Sequence, residues 1–157
     1  MLQEVLEHIH NYFIKSASRG TFSVAGGVIS PAMELLEGQR FLIMDSVLDD
    51  GVYTYHASGI MNADDNGVAG LQDETFAGTI CALAVPPAVI ALSAEISQWV
   101  EKYGGAVNSP FQSENVIGVY SYTKATAGST RTGAGDTLGW EETFRSQLNR
   151  WRKVAFL

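Results

Sequence analysis

Residues 41–57 read FLIMDSVLDDGVYTYHA, two apolar runs separated by Asp49-Asp50-Gly51. Phe41 to Leu48 is a compact hydrophobic stretch preceded by Gly38. Val52 to Ala57 alternates, with Tyr53 and Tyr55 facing one way and Val52, Thr54 and His56 the other. Alternation is the period of a strand, and Asp-Gly between two such runs supplies the positive φ angles of a tight hairpin turn. The segment predicts an antiparallel pair. Thr79 to Val85 reads as a further strand, with weaker ones at Thr21 to Ala25 and Val68 to Leu71. Short strands broken by glycine between residues 21 and 85 predict a small antiparallel β barrel or sandwich.

Helical periodicity flanks this segment. Leu2, Val5, Leu6, Ile9, Tyr12 and Phe13 form one stripe, which predicts a helix over 2–16 with Gly20 as a stop. A second helix is predicted from Pro86-Pro87. Its apolar face is Val89, Leu92, Ile96, Trp99, Val100 and Tyr103, and Gly104-Gly105 are expected to end it. Trp140, Phe144, Leu148 and Trp151 predict a last helix over 140–153, with Glu141 and Glu142 at its start and Arg150, Arg152 and Lys153 at its end, as the helix dipole favours. Between the last two helices Val119 to Thr123 reads as a strand and 125–139 as a long surface loop. The predicted fold class is therefore α+β. A helical core built from residues 1–20 and 86–157 (N-terminal, central and C-terminal helices) is interrupted by a β-rich insertion over 21–85.

A chain of 157 residues fits one domain, or one domain carrying an insertion; 46% hydrophobic and 17% charged residues suit a packed core. The lone Cys81 excludes an internal disulfide and a cysteine-built metal cluster. The net charge of −7 argues against a general nucleic-acid binder or a polybasic membrane surface. That charge is segregated. Residues 1–110 carry four basic and thirteen acidic side chains, a net of −9, whereas 111–157 carry six and four, a net of +2. Bipolar charge suits head-to-tail contact between like subunits. The first twenty residues lack the pattern of an export signal, and Pro86-Pro87 breaks the longest apolar stretch, so no membrane association is expected.

The chain offers little catalytic chemistry. It has no phosphate-cradling Gly-Lys-Ser/Thr loop, no His-Glu-x-x-His and no Gly-x-Ser-x-Gly turn. Cys81 sits in an apolar strand and reads as structural, and His8, His10 and His56 suggest no ligand set. Asn62, Asp64, Asn66, Gly67 and Asp73 match the spacing of a calcium loop, but the first ligand is Asn, the last is Asp, and strands flank it. A polar turn between strands has the same composition. The expectation is a non-enzymatic protein without a cofactor. The aromatics concentrated in the last third read as a helix–helix core, with a subunit interface as the competing reading.

Pro86-Pro87-Ala88, Ser109-Pro110-Phe111-Gln112-Ser113-Glu114, Gly118, Tyr120-Ser121-Tyr122-Thr123-Lys124 and the closing Trp140…Phe144…Leu148-Asn149-x-Trp151-Arg152-Lys153 resemble the head–tail connector (adaptor) proteins of long-tailed phages and prophages. The resemblance covers roughly 86–154 and, loosely, the first helix. The family's link reads Ser-Glu-Ser followed by an apolar residue and Gly; here it is one residue longer, with Val119 where Asp or Gly is common. The resemblance implies a homo-oligomeric ring, usually dodecameric, between the portal protein and a tail-side neck protein. DNA would pass through its lumen without specific binding. The protein would be assembled in the host cytoplasm and reside in the virion neck. Ser113, Glu114, Gly118, Tyr120, Ser121, Tyr122, Lys124, Arg150, Trp151, Arg152 and Lys153 would then carry the subunit and portal contacts, Tyr120 and Tyr122 pairing across subunits. The alternatives are another neck component, such as a tail terminator, or a small β module binding a ligand or calcium.

Overall fold

The computed structural model describes residues 1–108, 113–116, 120–123 and 139–154, with only the backbone for 105–108 and the two short segments after it. In chain order the elements are α1 (Leu2–His8), β1 (Ile14–Ala25), β2 (Val28–Ser30), β3 (Arg40–Met44), β4 (Gly51–His56), β5 (Gly59–Asn62), β6 (Glu74–Leu83), α2 (Pro87–Asn108), β7 (Ser113–Val116), β8 (Tyr120–Thr123), α3 (Trp140–Thr143) and α4 (Arg145–Asn149). Strands β1 to β6 form one antiparallel sheet in the order β2-β1-β6-β3-β4-β5, curled into a nearly closed barrel. This overturns the expected helical connector core with a small β insertion. The barrel is the body of the protein, and the helices are a layer upon it.

The physical reason lies in the sheet's two faces. Phe41 and Ile43 of β3 point into the barrel with Phe22, Val24, Phe76 and Ile80, and Tyr53, Tyr55 and Ile60 pack against them. Leu42, between Phe41 and Ile43, points outward with Val52, Cys81 and Leu83, and is covered by Leu2, Val5, Leu6 and Ile9 of α1, Val89, Leu92 and Ile96 of α2, and Leu148 of α4. A strand buried on both faces reads as a continuous apolar run, as Phe41–Ile43 does. Each fully buried side chain of this size contributes roughly 1.5–3 kcal/mol.

Several boundaries differ from the sequence reading. Helix α1 ends at His8 rather than at residue 16: His10 and Phe13 have φ of 54° and 53°, and the Asn11 side-chain oxygen accepts the Phe13 N–H at 3.1 Å. Asparagine here offers the backbone a local alternative to the helix. Residues 14–16, expected to close that helix, instead begin β1, which pairs with β6 from Ile14↔Leu83 to Val24↔Glu74. A helical core over 1–20 and an insertion from 21 would thus divide a single strand. The connection from β3 to β4 is the six-residue segment 45–50, since Ile43 pairs with Gly51, and Asp50-Gly51 is not a two-residue turn. Gly51 instead opens β4 at φ 153°, where a Cβ would lie 3.0 Å from the Gln3 Oε1 that accepts the Val52 N–H. Val68 makes a single bridge to Met61 instead of a strand of its own. Helix α2 runs on through Gly104-Gly105 to Asn108. The expected last helix is two short ones, interrupted at Phe144 with φ −99° and ψ 12°.

Candidate functional site

Three places carry the polar and aromatic side chains that the sequence singles out. The first is the C-terminal segment. Leu148 is fully buried and docks the segment on the helical layer. Trp151 sets its edge against Phe13 at 6.2 Å, Trp140 against His8 at 5.3 Å, and Phe144 against Trp99 at 6.3 Å. The Lys153 N–H donates to the Ile9 carbonyl at 3.0 Å, and Asn11 Nδ2 donates to the Trp151 carbonyl at 3.0 Å. Arg152 turns inward as well: its Nη2 lies 2.9 Å from His8 Nε2. Since guanidinium only donates, His8 accepts as the neutral ring. Burial, reinforced by the Arg152 charge, holds the His8 pKa below the usual histidine value.

The predicted contact residues therefore divide. Trp151 and Arg152 belong mainly to intramolecular packing, whereas the side chains of Arg150 and Lys153 are exposed, together with Arg145. Arg150 stacks its guanidinium over Trp151 at 5.2 Å. Ser113 and Glu114 on β7 pair with Thr123 and Tyr122 on β8, and Val116 pairs with Tyr120, so Tyr120, Ser121 and Tyr122 lie in a hairpin made within one chain. The side chains of these residues, with Gly118, Lys124 and all of the predicted loop 125–139 except Gly139, lie outside the described residues.

The second place is the turn after β5. The Asn62 side-chain oxygen accepts the N–H groups of Asp64 and Asn66 at 3.1 and 3.2 Å, and Asn62 Nδ2 donates to Asn66 Oδ1 at 2.7 Å. Asp64 is spent elsewhere: its Oδ1 accepts the Leu2 N–H at 2.9 Å and its Oδ2 lies 3.0 Å from the Met1 amino group. It thus caps α1 from 62 residues away. Asp73 binds the Gly26 N–H in the β1–β2 turn at 2.8 Å. The calcium pattern is dispersed over three hydrogen-bonding tasks, and no group of three or more His, Cys, Asp or Glu able to hold a metal occurs among the described residues. Asp64→Ala is expected to lower stability by about 1 kcal/mol, the usual cost of a lost helix cap. Thermal melts should show that loss equally with and without calcium; a calcium-dependent difference between variant and parent would restore the metal reading.

The third place is the barrel seam. Strands β2 and β5 end the sheet order and are not paired with each other. Between them opens an apolar cleft of about 250 Å³, lined among others by Val28, Ile29, Met33, Leu35, Tyr55 and Ile60. Its rim carries His56, which sequence reasoning left as a strand residue beside tyrosines. Asp49 was also missed as a structural group. It is buried and receives the Gln72 N–H on both carboxylate oxygens at 3.0 and 3.1 Å, tying the 45–50 segment to the chain before β6. Its carbonyl accepts the Tyr53 hydroxyl, whose pKa burial, with the nearby Asp49 charge, pushes up to about 12. Cys81 is buried under the helices, and burial raises its thiol pKa, so its setting is that of a packing residue. No described helix is long and apolar enough to cross a membrane.

Comparison with family models, with characterised proteins and with solved structures returned no match to this chain, and the site stands on its own geometry.

Proposed function

We propose that the protein is a non-enzymatic structural subunit of a phage or prophage neck, a head–tail adaptor that assembles as a homo-oligomeric ring between portal and tail. The observation that carries this reading is the segregation of charge on the folded subunit. The exposed loop carboxylates of the barrel include Glu34, Asp45, Asp50 and Asp73, while Arg150 and Lys153 stand exposed on the C-terminal segment, where Arg145 pairs with Glu142 at 3.3 Å. Opposite charge at two places on one subunit favours contact between one copy and the next, and steers that contact in a single direction. Of the stretches that resemble the adaptor family, the described parts lie on α2, on the paired strands β7 and β8 and in the C-terminal segment, outside the six-stranded sheet. The barrel is larger than the family's compact helical core suggests, and it is the part left to face a neck neighbour.

Electron microscopy of the purified protein with its cognate portal tests the reading: rings seated on the portal are expected, and failure to form or attach them overturns it. The double variant Arg150→Glu, Lys153→Glu should weaken ring formation at least tenfold, about 1.4 kcal/mol. Added salt should weaken the parent in the same direction. Rings indifferent to both would sink the charge-based contact.

A further inference from the structure

We infer that Glu37, His56 and Asp65 form a charge-operated latch that holds the barrel shut along its seam, between the two strands that no backbone ladder joins. The inference concerns the barrel alone and holds whatever the protein assembles with. The cleft at the seam has two walls. One is β2 and the segment that follows it, contributing Val28, Ile29, Met33 and Leu35; the other is the corner from β4 to β5, contributing Tyr55 to Ile60. Glu37 comes from the first side. Its Oε1 lies 2.5 Å from His56 Nδ1, and its Oε2 accepts the Ala57 N–H at 2.9 Å. On the far side of the ring His56 Nε2 lies 2.7 Å from Oδ1 of Asp65, in the turn after β5. One imidazole thus joins three chain segments.

The chemistry of the ring sets the logic of the device. Both nitrogens face carboxylate oxygens, which only accept when ionised, so both contacts are made together only by the doubly protonated imidazolium. Neutral imidazole presents a lone pair to one carboxylate, and that contact must open. The charged groups acting on His56 are Glu37 from the 31–39 segment and Asp65 from the turn after β5; Arg40 on β3 interacts electrostatically with Asp65 and Asp64. The Glu37 contact, then the Asp65 contact, raises the His56 pKa above the usual histidine value. The Ala57 N–H, then His56, lowers that of Glu37 below the usual carboxylate value. The signs are opposite. The His56 contribution is complete below the ordinary histidine range and is lost as pH rises through the raised value. The Glu37 contribution is complete above the ordinary carboxylate range and is lost as pH falls through the depressed value. The latch is closed in the window between them, and its alkaline opening belongs to His56.

The wall facing the latch is thinly held. Residues 31–36 make few backbone bonds: Leu35 N–H donates to the Met33 carbonyl, Leu36 N–H to the Gln39 side chain, and the Leu36 carbonyl accepts the Gln39 N–H at 2.9 Å. Beyond it, Gly38 and Gln39 are pinned to Tyr55 by bonds of 2.8 and 2.9 Å, which form the hinge about which the wall turns. Opening exposes the apolar lining of the cleft to water or to a binding partner.

Amide hydrogen exchange on the full chain, corrected for intrinsic rates, tests this. Between about pH 6 and about pH 9, residues 32–36 and 57–60 should lose roughly tenfold in protection, while β3 and β6 stay unchanged. In His56→Gln the same amides should exchange at the open-latch level at both pH values. Parent protection that does not change with pH overturns the inference, and so does a His56→Gln protein that keeps the full dependence. If that variant fails to fold, Glu37→Gln serves instead, because it keeps the shape and removes the charge. The His56 ring should then titrate at lower pH by NMR than in the parent, and an unmoved titration rejects the latch.

Discussion

Gly78→Ala is expected to cost about 3 kcal/mol, because an added methyl in a closely packed strand forces the backbone apart. A Cβ at this position would lie 2.3 Å from the Met44 carbonyl oxygen and 3.0 Å from the Phe76 ring. The obstacle is backbone, not the flexible end of a side chain, and β6 sits between β1 and β3, so neither neighbour has room to retreat. The thermal midpoint should fall roughly 6–12 °C for a chain of this length. Gly20 supplies the control, since it is the cross-strand partner of Gly78 in the β1–β6 register and has nothing within 4 Å of its virtual Cβ. Gly20→Ala should be neutral or stabilising by up to about 1 kcal/mol. Equal melting temperatures for the two variants would show that the Met44 carbonyl does not bar a side chain at Gly78.

Leu148→Ala is expected to be comparably severe. Leu148 is fully buried and shares its cluster with α1 and α2, so truncation removes the anchor of the C-terminal segment and leaves a cavity. The loss should be about 3 kcal/mol, within the range for buried leucines. Limited proteolysis should then cut after residue 139 before it cuts the barrel. Arg150→Ala, at an exposed position two residues on, should change stability by less than about 0.5 kcal/mol. A Leu148→Ala protein that melts like the parent would mean that the segment is not docked as described.

What the sequence made legible was governed by local periodicity. Alternation in 52–55 correctly assigned Tyr53 and Tyr55 to one face and Val52 to the other, and the stripe of Val89, Leu92 and Ile96 correctly marked the buried face of α2. The first half of β1 was illegible because Lys15-Ser16-Ala17-Ser18-Arg19 is exposed and polar; it is a strand only because β6 lies beside it. The size of the barrel was misjudged for the same reason. Site geometry was hidden by sequence distance. Asp64 caps a helix 62 residues earlier, and Glu37 meets a histidine 19 residues later, so neither pairing leaves a local mark. The inward turn of Trp151 and Arg152 depends on where Leu148 docks, which composition does not reveal.

Because the central strands carry oil on both sides, they act as a party wall between two compartments, and neither compartment has a skin of its own. Cutting residues 21–85 away from the helices would lay Leu42, Val52, Cys81 and Leu83 bare to water, and the helices would lose the floor they stand on. The stretch that reads as a detachable module is thus indivisible from its surroundings. Evolution could vary this protein at its seam and loops, but could not lend its barrel to another chain without also supplying the roof.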